Sequence, residues 1–192
     1  LLDASLSRPV NRNACAENND PAIDGWTGEC RVVINYEQHI HPLWGMARID
    51  PVDGATNRTC TSCHHETGFA LVPPTQLDLS AGLSDLNNRH FKSYRELVSD
   101  DNQLDAAGNE VLVADVDDLG NPIQVPVTVT RSVVPGNANA SRFFNVFSNG
   151  QHCTDDNGTC VPWLSVHELK LISEWVDIGA QYYNTPFMAP LN

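Results

Sequence analysis

The sequence predicts a mainly α-helical protein into which a short β-hairpin region is inserted. The clearest observation is an amphipathic stretch at residues 165–179, which begins with a helix-capping signal. Two shorter helical patterns lie earlier in the chain, at residues 34–46 and around residues 90–97. Residues 99–135 instead carry valine-rich runs separated by Asp, Asn and Gly, the pattern of one or two hairpins. A chain of 192 residues fits one domain with such an insert.

The first predicted helix covers residues 34–46. Asn35 is placed to cap it, with Gln38 three residues further on, and the apolar residues that follow share one face. Pro42 should bend or end the helix, because a prolyl ring disrupts the helical hydrogen-bond ladder.

The last predicted helix begins at Ser165, which with Glu168 matches a capping box. Its apolar residues occupy much of the circumference, so we expect this helix to be largely buried. They are Leu169, Leu171, Ile172, Trp175, Val176 and Ile178.

The charge balance excludes several classes of partner. With 11 Lys and Arg against 24 Asp and Glu, the formal net charge is −13. Such a surface repels nucleic-acid phosphates and anionic membranes. No run approaches the roughly 20 apolar residues that a membrane-spanning helix needs. Because the sequence begins without Met, we expect a processed or trimmed amino terminus.

Four of the six cysteines are expected to form loop-stapling disulfides, which indicates a periplasmic or secreted protein. Each pair encloses a polar, turn-rich run with little apolar core, although other pairings among the four stay open. The first pair defines a disulfide-clipped arm, residues 1–33, ahead of a main domain at residues 34–192. The expected pairs are Cys15–Cys30 and Cys153–Cys160.

The remaining two cysteines form a Cys-x-x-Cys-His run, with Cys60, Cys63 and His64. This is the attachment signal for a c-type haem, in which the thiols bond the porphyrin and the histidine ligates the iron. A zinc site would need a second ligand pair at similar spacing, and a thioredoxin-type motif would follow a strand in a βαβ unit. Neither pattern surrounds this run, so one covalent haem c is the predicted cofactor.

The sequence around this run resembles a family of bacterial monohaem cytochrome c domains. They are the domains related to the hydrazine synthase alpha subunit and the planctomycete-type cytochromes, and similar modules occur in proteins linked to polysaccharide breakdown. The similar blocks are residues 34–44, 59–64, 76–80, 93–97, 140–144, 164–180 and 181–187.

The resemblance covers about residues 34–97 and 136–187, and leaves the arm and the insert outside it. It implies a class I cytochrome c-like fold, with amino- and carboxyl-terminal helices that cross beside the haem. Gly179 and Ala180 are then the small residues that allow a close helix crossing.

The second axial ligand of the iron decides what such a haem can do. The resemblance implies His152, because relatives carry a histidine just before the last helix; here the Cys153–Cys160 loop interrupts that segment. A methionine ligand, Met188 or Met46, and an open iron stay as alternatives. The other histidines weighed as ligands are His39, His41, His65, His90 and His167.

With two protein ligands on the iron, the expected function is electron transfer rather than catalysis. The alternative is a haem enzyme or sensor with an open distal site, peroxidase-like or binding a small ligand. The predicted partner is a redox protein with a basic or apolar docking patch, since this surface is acidic. The resemblance adds membership of a multidomain redox or polysaccharide-degrading system as a further possibility.

Overall fold

The computed structural model describes residues 33–50, 52–66 and 72–184. The α-helices are α1 (His41–Gly45), α2 (Cys60–Cys63), α3 (Lys92–Val98) and α4 (Val166–Asp177). A π-helical turn, Tyr36–Ile40, leads into α1, and 3₁₀ turns cover Pro74–Gln76, Ala138–Ala140 and Arg142–Phe147.

The strands form three separate antiparallel pairs. Two pairs lie in the insert, and the third lies between the 3₁₀ turns and α4. The pairs are β1 (Asp101–Asn102) with β4 (Thr128–Val129), β2 (Leu112–Val116) with β3 (Pro122–Pro126), and β5 (Cys153–Asp156) with β6 (Thr159–Pro162).

The expected mainly α, class I cytochrome c-like fold is wrong for this chain, because the described part is mixed α and β. Among the described helices only α4, with 12 residues, exceeds two turns. The hairpins of the insert are present as expected, but a third hairpin, β5–β6, occupies the disulfide loop, where only a turn was expected.

The predicted helix crossing at Gly179 and Ala180 is wrong as well. Both residues lie beyond the end of α4 and have positive φ angles, 104° and 48°. A Cβ at Gly179 would meet only the side chain of Gln181, at 3.8 Å, so no other element approaches it closely. Gly179 therefore ends the helix, as glycine commonly does.

Two local predictions about helix starts are confirmed. The Asn35 side chain accepts a hydrogen bond from the Gln38 backbone N–H. Ser165 and Glu168 form the full capping box of α4. Pro42 lies in the first turn of α1, where proline is tolerated, so the helical segment continues to Gly45.

The core is built around Tyr36, which is fully buried. Its hydroxyl donates to Ser93 Oγ of α3 at 2.9 Å and accepts from the indole N–H of Trp44 at 3.0 Å. Its ring packs against Trp175 of α4 and Tyr182. One side chain thus joins α1, α3 and α4.

Helix α3 is linked to the insert through Arg95. Its guanidinium contacts Glu96 at 2.9 Å and Asp101 of β1 at 2.7 Å. Burial raises the pKa of Glu96 to about 7, although the neighbouring Arg95 lowers it. The base of the insert is therefore fixed to the helical part by charged contacts.

Within the described residues, no helix combines the length and apolar character needed to cross a membrane.

We predict that Tyr36→Phe lowers the free energy of unfolding by about 1–3 kcal/mol, because it removes the hydrogen-bond partner of the buried Trp44 indole N–H and one of the two contacts of Ser93 Oγ. Denaturant unfolding followed by circular dichroism measures this change. The matched control is Tyr183→Phe, whose hydroxyl donates to the Arg89 carbonyl at the surface, and it should cost less than about 0.5 kcal/mol. Equal losses for the two variants would contradict the central role of Tyr36.

We predict that Glu96 weakens folding as the pH rises from about 4.5 to about 7, because the unfolded chain loses the Glu96 proton before the folded chain does. Glu96→Gln has no titrating carboxyl and therefore lacks this pH dependence. The stability of the wild type relative to Glu96→Gln should therefore fall by on the order of 1 kcal/mol between pH 4 and pH 8. Unfolding of both proteins across that range measures it, and a difference independent of pH would refute it.

Candidate functional site

The Cys-x-x-Cys-His run forms α2 and the residue after it. Cys60 is half-buried and Cys63 is exposed, and both are free thiols. The His64 backbone N–H donates to the Cys60 carbonyl at 2.9 Å, which keeps the two thiols and the imidazole on one turn. Burial raises the pKa of the Cys60 thiol.

The imidazole of His64 is buried and held in a defined orientation. Its Nδ1 lies 3.2 Å from the Leu77 carbonyl, and its own carbonyl accepts the Leu79 N–H at 2.9 Å. Because a carbonyl can only accept, Nδ1 carries the proton and Nε2 keeps a free lone pair. Burial also lowers the pKa of His64, which favours the neutral form that ligates metals.

His152 lies directly opposite His64. The two Nε2 atoms are 3.5 Å apart, and the ring planes are inclined by 20°. Burial lowers the pKa of His152, and the adjacent His64 lowers it further. Two imidazoles on opposite sides of one metal ion, each at about 2 Å, place their nitrogens about 4 Å apart. The observed pair is within about half an ångström of that spacing.

The surroundings of His152 also fit a metal-bound group. Its Nδ1 is buried without a hydrogen-bond partner among the described residues. Its ring lies between those of Phe147 and Trp163, at centroid distances of 5.6 and 5.2 Å. These two rings and the facing His64 Nε2 surround the His152 imidazole. The two facing imidazoles are thus a donor set suited to a bis-histidine iron.

The backbone of His152 is fixed at the base of the β5–β6 hairpin. Its N–H donates to the Val146 carbonyl at 2.9 Å, and its carbonyl accepts the Trp163 N–H at 3.1 Å. The hairpin is closed by the Cys153–Cys160 disulfide, which was predicted. The Cys15–Cys30 pair lies outside the described residues, as do the rest of the amino-terminal arm up to residue 32 and Met188.

A buried ion pair joins the segments that carry the two histidines. Arg48 forms a salt bridge with Glu168, and the two side chains are 8% and 6% exposed. The Arg48 N–H donates at 3.1 Å to Oγ1 of Thr59, the residue before the Cys-x-x-Cys-His run. The second oxygen of Glu168 accepts the Ser165 N–H at 2.7 Å, just after the hairpin.

The other described histidines are engaged elsewhere or exposed. His39 bonds within its own helical turn to Asn35, and His41 contacts Ser93 Oγ at 3.0 Å. His90 stacks on Tyr182, and His167 is exposed. His65 directly follows His64 and Met46 lies ahead of Cys60, whereas the imidazole that faces His64 is that of His152.

No protein-family model, curated protein or solved structure matches this chain. The family resemblance therefore stays a prediction, and the site rests on its own geometry. In the described ranges, no three His, Cys, Asp or Glu side chains converge on one point. A bis-histidine haem takes only two protein ligands to its iron, so it does not require such a cluster.

Sequence reasoning missed the hairpin that carries His152, although a signal for it was present. Asn157 and Gly158 both have positive φ angles, 53° and 85°, at the turn between β5 and β6. An Asn-Gly pair between strands is a strong hairpin signal. No local signal pointed to the Leu77 carbonyl, which follows the motif at a distance and orients His64 only in the folded chain.

We predict that replacing both Cys153 and Cys160 by Ser lowers the free energy of unfolding by about 2–3 kcal/mol, the value for a short disulfide-closed loop. Urea unfolding with and without the substitutions measures it. Peptide mapping without reduction should find Cys153 joined to Cys160 in the wild type. An unchanged unfolding midpoint, or a different partner for Cys153, would contradict this prediction.

Proposed function

We propose that this chain is an electron-transfer domain that holds one haem c, attached to Cys60 and Cys63, with His64 and His152 as axial ligands. The observation that carries the proposal is the facing pair of imidazole Nε2 atoms, one of which belongs to the histidine of a Cys-x-x-Cys-His run. Two residues 88 positions apart in the chain thus face each other, and one of them is the histidine that this motif would supply to an iron.

The chemistry of each donor supports this assignment. Cys60 and Cys63 are free thiols, the form that attachment of a porphyrin requires. The Leu77 carbonyl fixes the tautomer of His64 and increases the basicity of the ligating nitrogen, as outer-shell hydrogen bonds do at other metal sites. Phe147 and Trp163 line the His152 side with apolar rings, which limits the access of water.

When bound, haem c supplies a one-electron iron couple. Cys60 and Cys63 would hold the porphyrin, and His64 and His152 would ligate its iron from two sides. With both positions filled, the iron offers no site to a substrate, which favours electron transfer over catalysis. Bis-histidine ligation also favours a lower potential than a histidine–methionine pair, since an axial methionine raises it.

The environment and partner follow from charge and from the disulfide. A disulfide persists in the periplasm or outside the cell, where c-type haems and extracellular redox proteins also reside. A net charge of −13 favours redox partners that present a basic surface, because opposite potentials steer the encounter.

The attachment is tested first. The protein produced in a host that matures cytochromes c should, after denaturation, have an intact mass greater by one haem. The haem should resist extraction with acidified organic solvent, because thioether bonds survive it. Cys60→Ser with Cys63→Ser is the matched control and should lose the bound haem. A wild-type mass equal to that of the bare chain would overturn the proposal.

The ligand assignment is tested on the same holoprotein. The wild type should be six-coordinate and low-spin in both oxidation states and, when reduced, should bind carbon monoxide only slowly, because His152 must first leave the iron. His152→Ala should bind carbon monoxide rapidly, whereas His90→Ala, a matched change at a half-buried histidine, should bind it as slowly as the wild type. Rapid carbon monoxide binding by the wild type would favour the haem enzyme or sensor. A low-spin, unreactive His152→Ala would move the ligand elsewhere, with Met188 tested next.

A further inference from the structure

We propose that Asp50 is a positioning residue that holds His152 on the iron by anchoring the β5–β6 hairpin through Thr154. This inference rests on the proposed function, because it concerns the ligand of that same haem. It assigns a role to a residue that neither the motif nor the ligand pair involves.

Asp50 is a buried carboxylate with an unusually full set of donors; it is 1% exposed. Oδ2 accepts from Thr154 Oγ1 at 2.6 Å and from the Arg58 guanidinium at 2.8 Å. Oδ1 accepts the backbone N–H groups of Val52 and Asp53 at 2.9 and 3.3 Å. The Thr154 hydroxyl is the chief reason that the pKa of Asp50 lies well below its usual range. Asp50 is therefore charged and fixed in place.

The contact with Thr154 leads directly to the distal ligand. Thr154 is two residues after His152, and its Oγ1 also accepts the indole N–H of Trp163 at 3.0 Å. Trp163 in turn bonds the His152 carbonyl through its backbone and packs against the imidazole. One hydroxyl thus links Asp50 to both residues at the base of the hairpin.

The Asp50 carboxylate also contacts the segment that leads into α2 and His64. Arg58, two residues before Cys60, bonds Asp50 and lies with its guanidinium carbon 4.5 Å from the centre of the Trp163 ring. The Arg58 N–H also donates to the Arg48 carbonyl at 2.9 Å. Asp50 therefore connects the segment leading into α2 with the hairpin that carries His152.

The disulfide cannot replace this anchor. Cys153–Cys160 and the strand pairing close the hairpin on itself, but they fix no part of it to the loop ahead of the haem motif. The hydroxyl of Thr154 does so, with a bond to a charged acceptor, a stronger type than a neutral pair. Loss of this bond should let the hairpin move as a unit and carry His152 away from the iron.

The test compares Thr154→Val, which keeps the shape of the side chain but has no hydroxyl, with Thr154→Ser, which retains it. Carbon monoxide association with the reduced holoproteins is followed by stopped flow, because the rate reports the population in which His152 has left the iron. Loss of a hydrogen bond to a charged group should raise that population, and the rate, about tenfold or more in Thr154→Val. Thr154→Ser should stay near the wild-type rate.

A control variant separates positioning from general stability. Ser93→Ala removes another buried hydroxyl, which lies in α3 and bonds Tyr36 and His41 in the core. It should lower the unfolding midpoint yet leave carbon monoxide association at the wild-type rate. All variants are compared at a temperature at which circular dichroism shows them folded.

The outcomes distinguish this inference from the proposed function. A wild type that lacks haem or binds carbon monoxide rapidly overturns the proposed function. A low-spin, unreactive wild type with an equally unreactive Thr154→Val overturns the positioning role alone. Faster association in Thr154→Ser and Ser93→Ala as well as Thr154→Val also overturns it, because the effect would then follow from stability. Faster association in Thr154→Val only supports it.

Discussion

The buried ion pair between Arg48 and Glu168 is the constraint on which the candidate site depends. Each charge would be costly to bury alone, so the two residues must stay together, and removing one partner of such a pair typically costs several kcal/mol. Arg48 is bonded to Thr59, the residue before the Cys-x-x-Cys-His run, and Glu168 caps the helix that follows the hairpin. The ion pair therefore holds the segment leading to His64 next to the segment that follows His152.

The site is assembled from short elements rather than from two long crossing helices. A four-residue helix carries the thiols, and His152 directly precedes a pair of four-residue strands. Such elements have little stability of their own, because a short helix or an isolated hairpin is marginal in water. Their positions depend on buried polar contacts, among which the carboxylates Asp50 and Glu168 are central.

Local features of the fold could be predicted from the sequence, and the arrangement of its elements could not. Asn35 and the Ser165 capping box are visible because capping involves residues three positions apart. The fold class was misjudged because the helical patterns at residues 34–46 and 90–97 form only short helices, and because the class I fold was taken from the resemblance. Gly179 was given a packing role that its positive φ angle does not support. Arg48 and Asp50 were missed because their partners lie more than 100 positions away.

The candidate site likewise contains residues that the sequence indicated and residues that only the folded chain brings together. A contiguous motif indicated the thiols and His64, whereas His152 came from a resemblance, and only the folded chain shows that the two imidazoles face each other. The backbone carbonyl that orients His64 has no sequence signature, since every residue carries the same group whatever its side chain.

The way the insert leaves and rejoins the body makes it an exchangeable part of the molecule. Its first and last strands pair, with Asp101 opposite Val129, so the chain returns to within one strand spacing of where it left. The entropy of closing a loop grows only slowly with its length, so residues between these strands can be added or removed at small cost. The insert is therefore a place where sequence can be added. A tether, a reporter or an electrode anchor grafted at the exposed tip near Leu119 would leave the two histidines where they are.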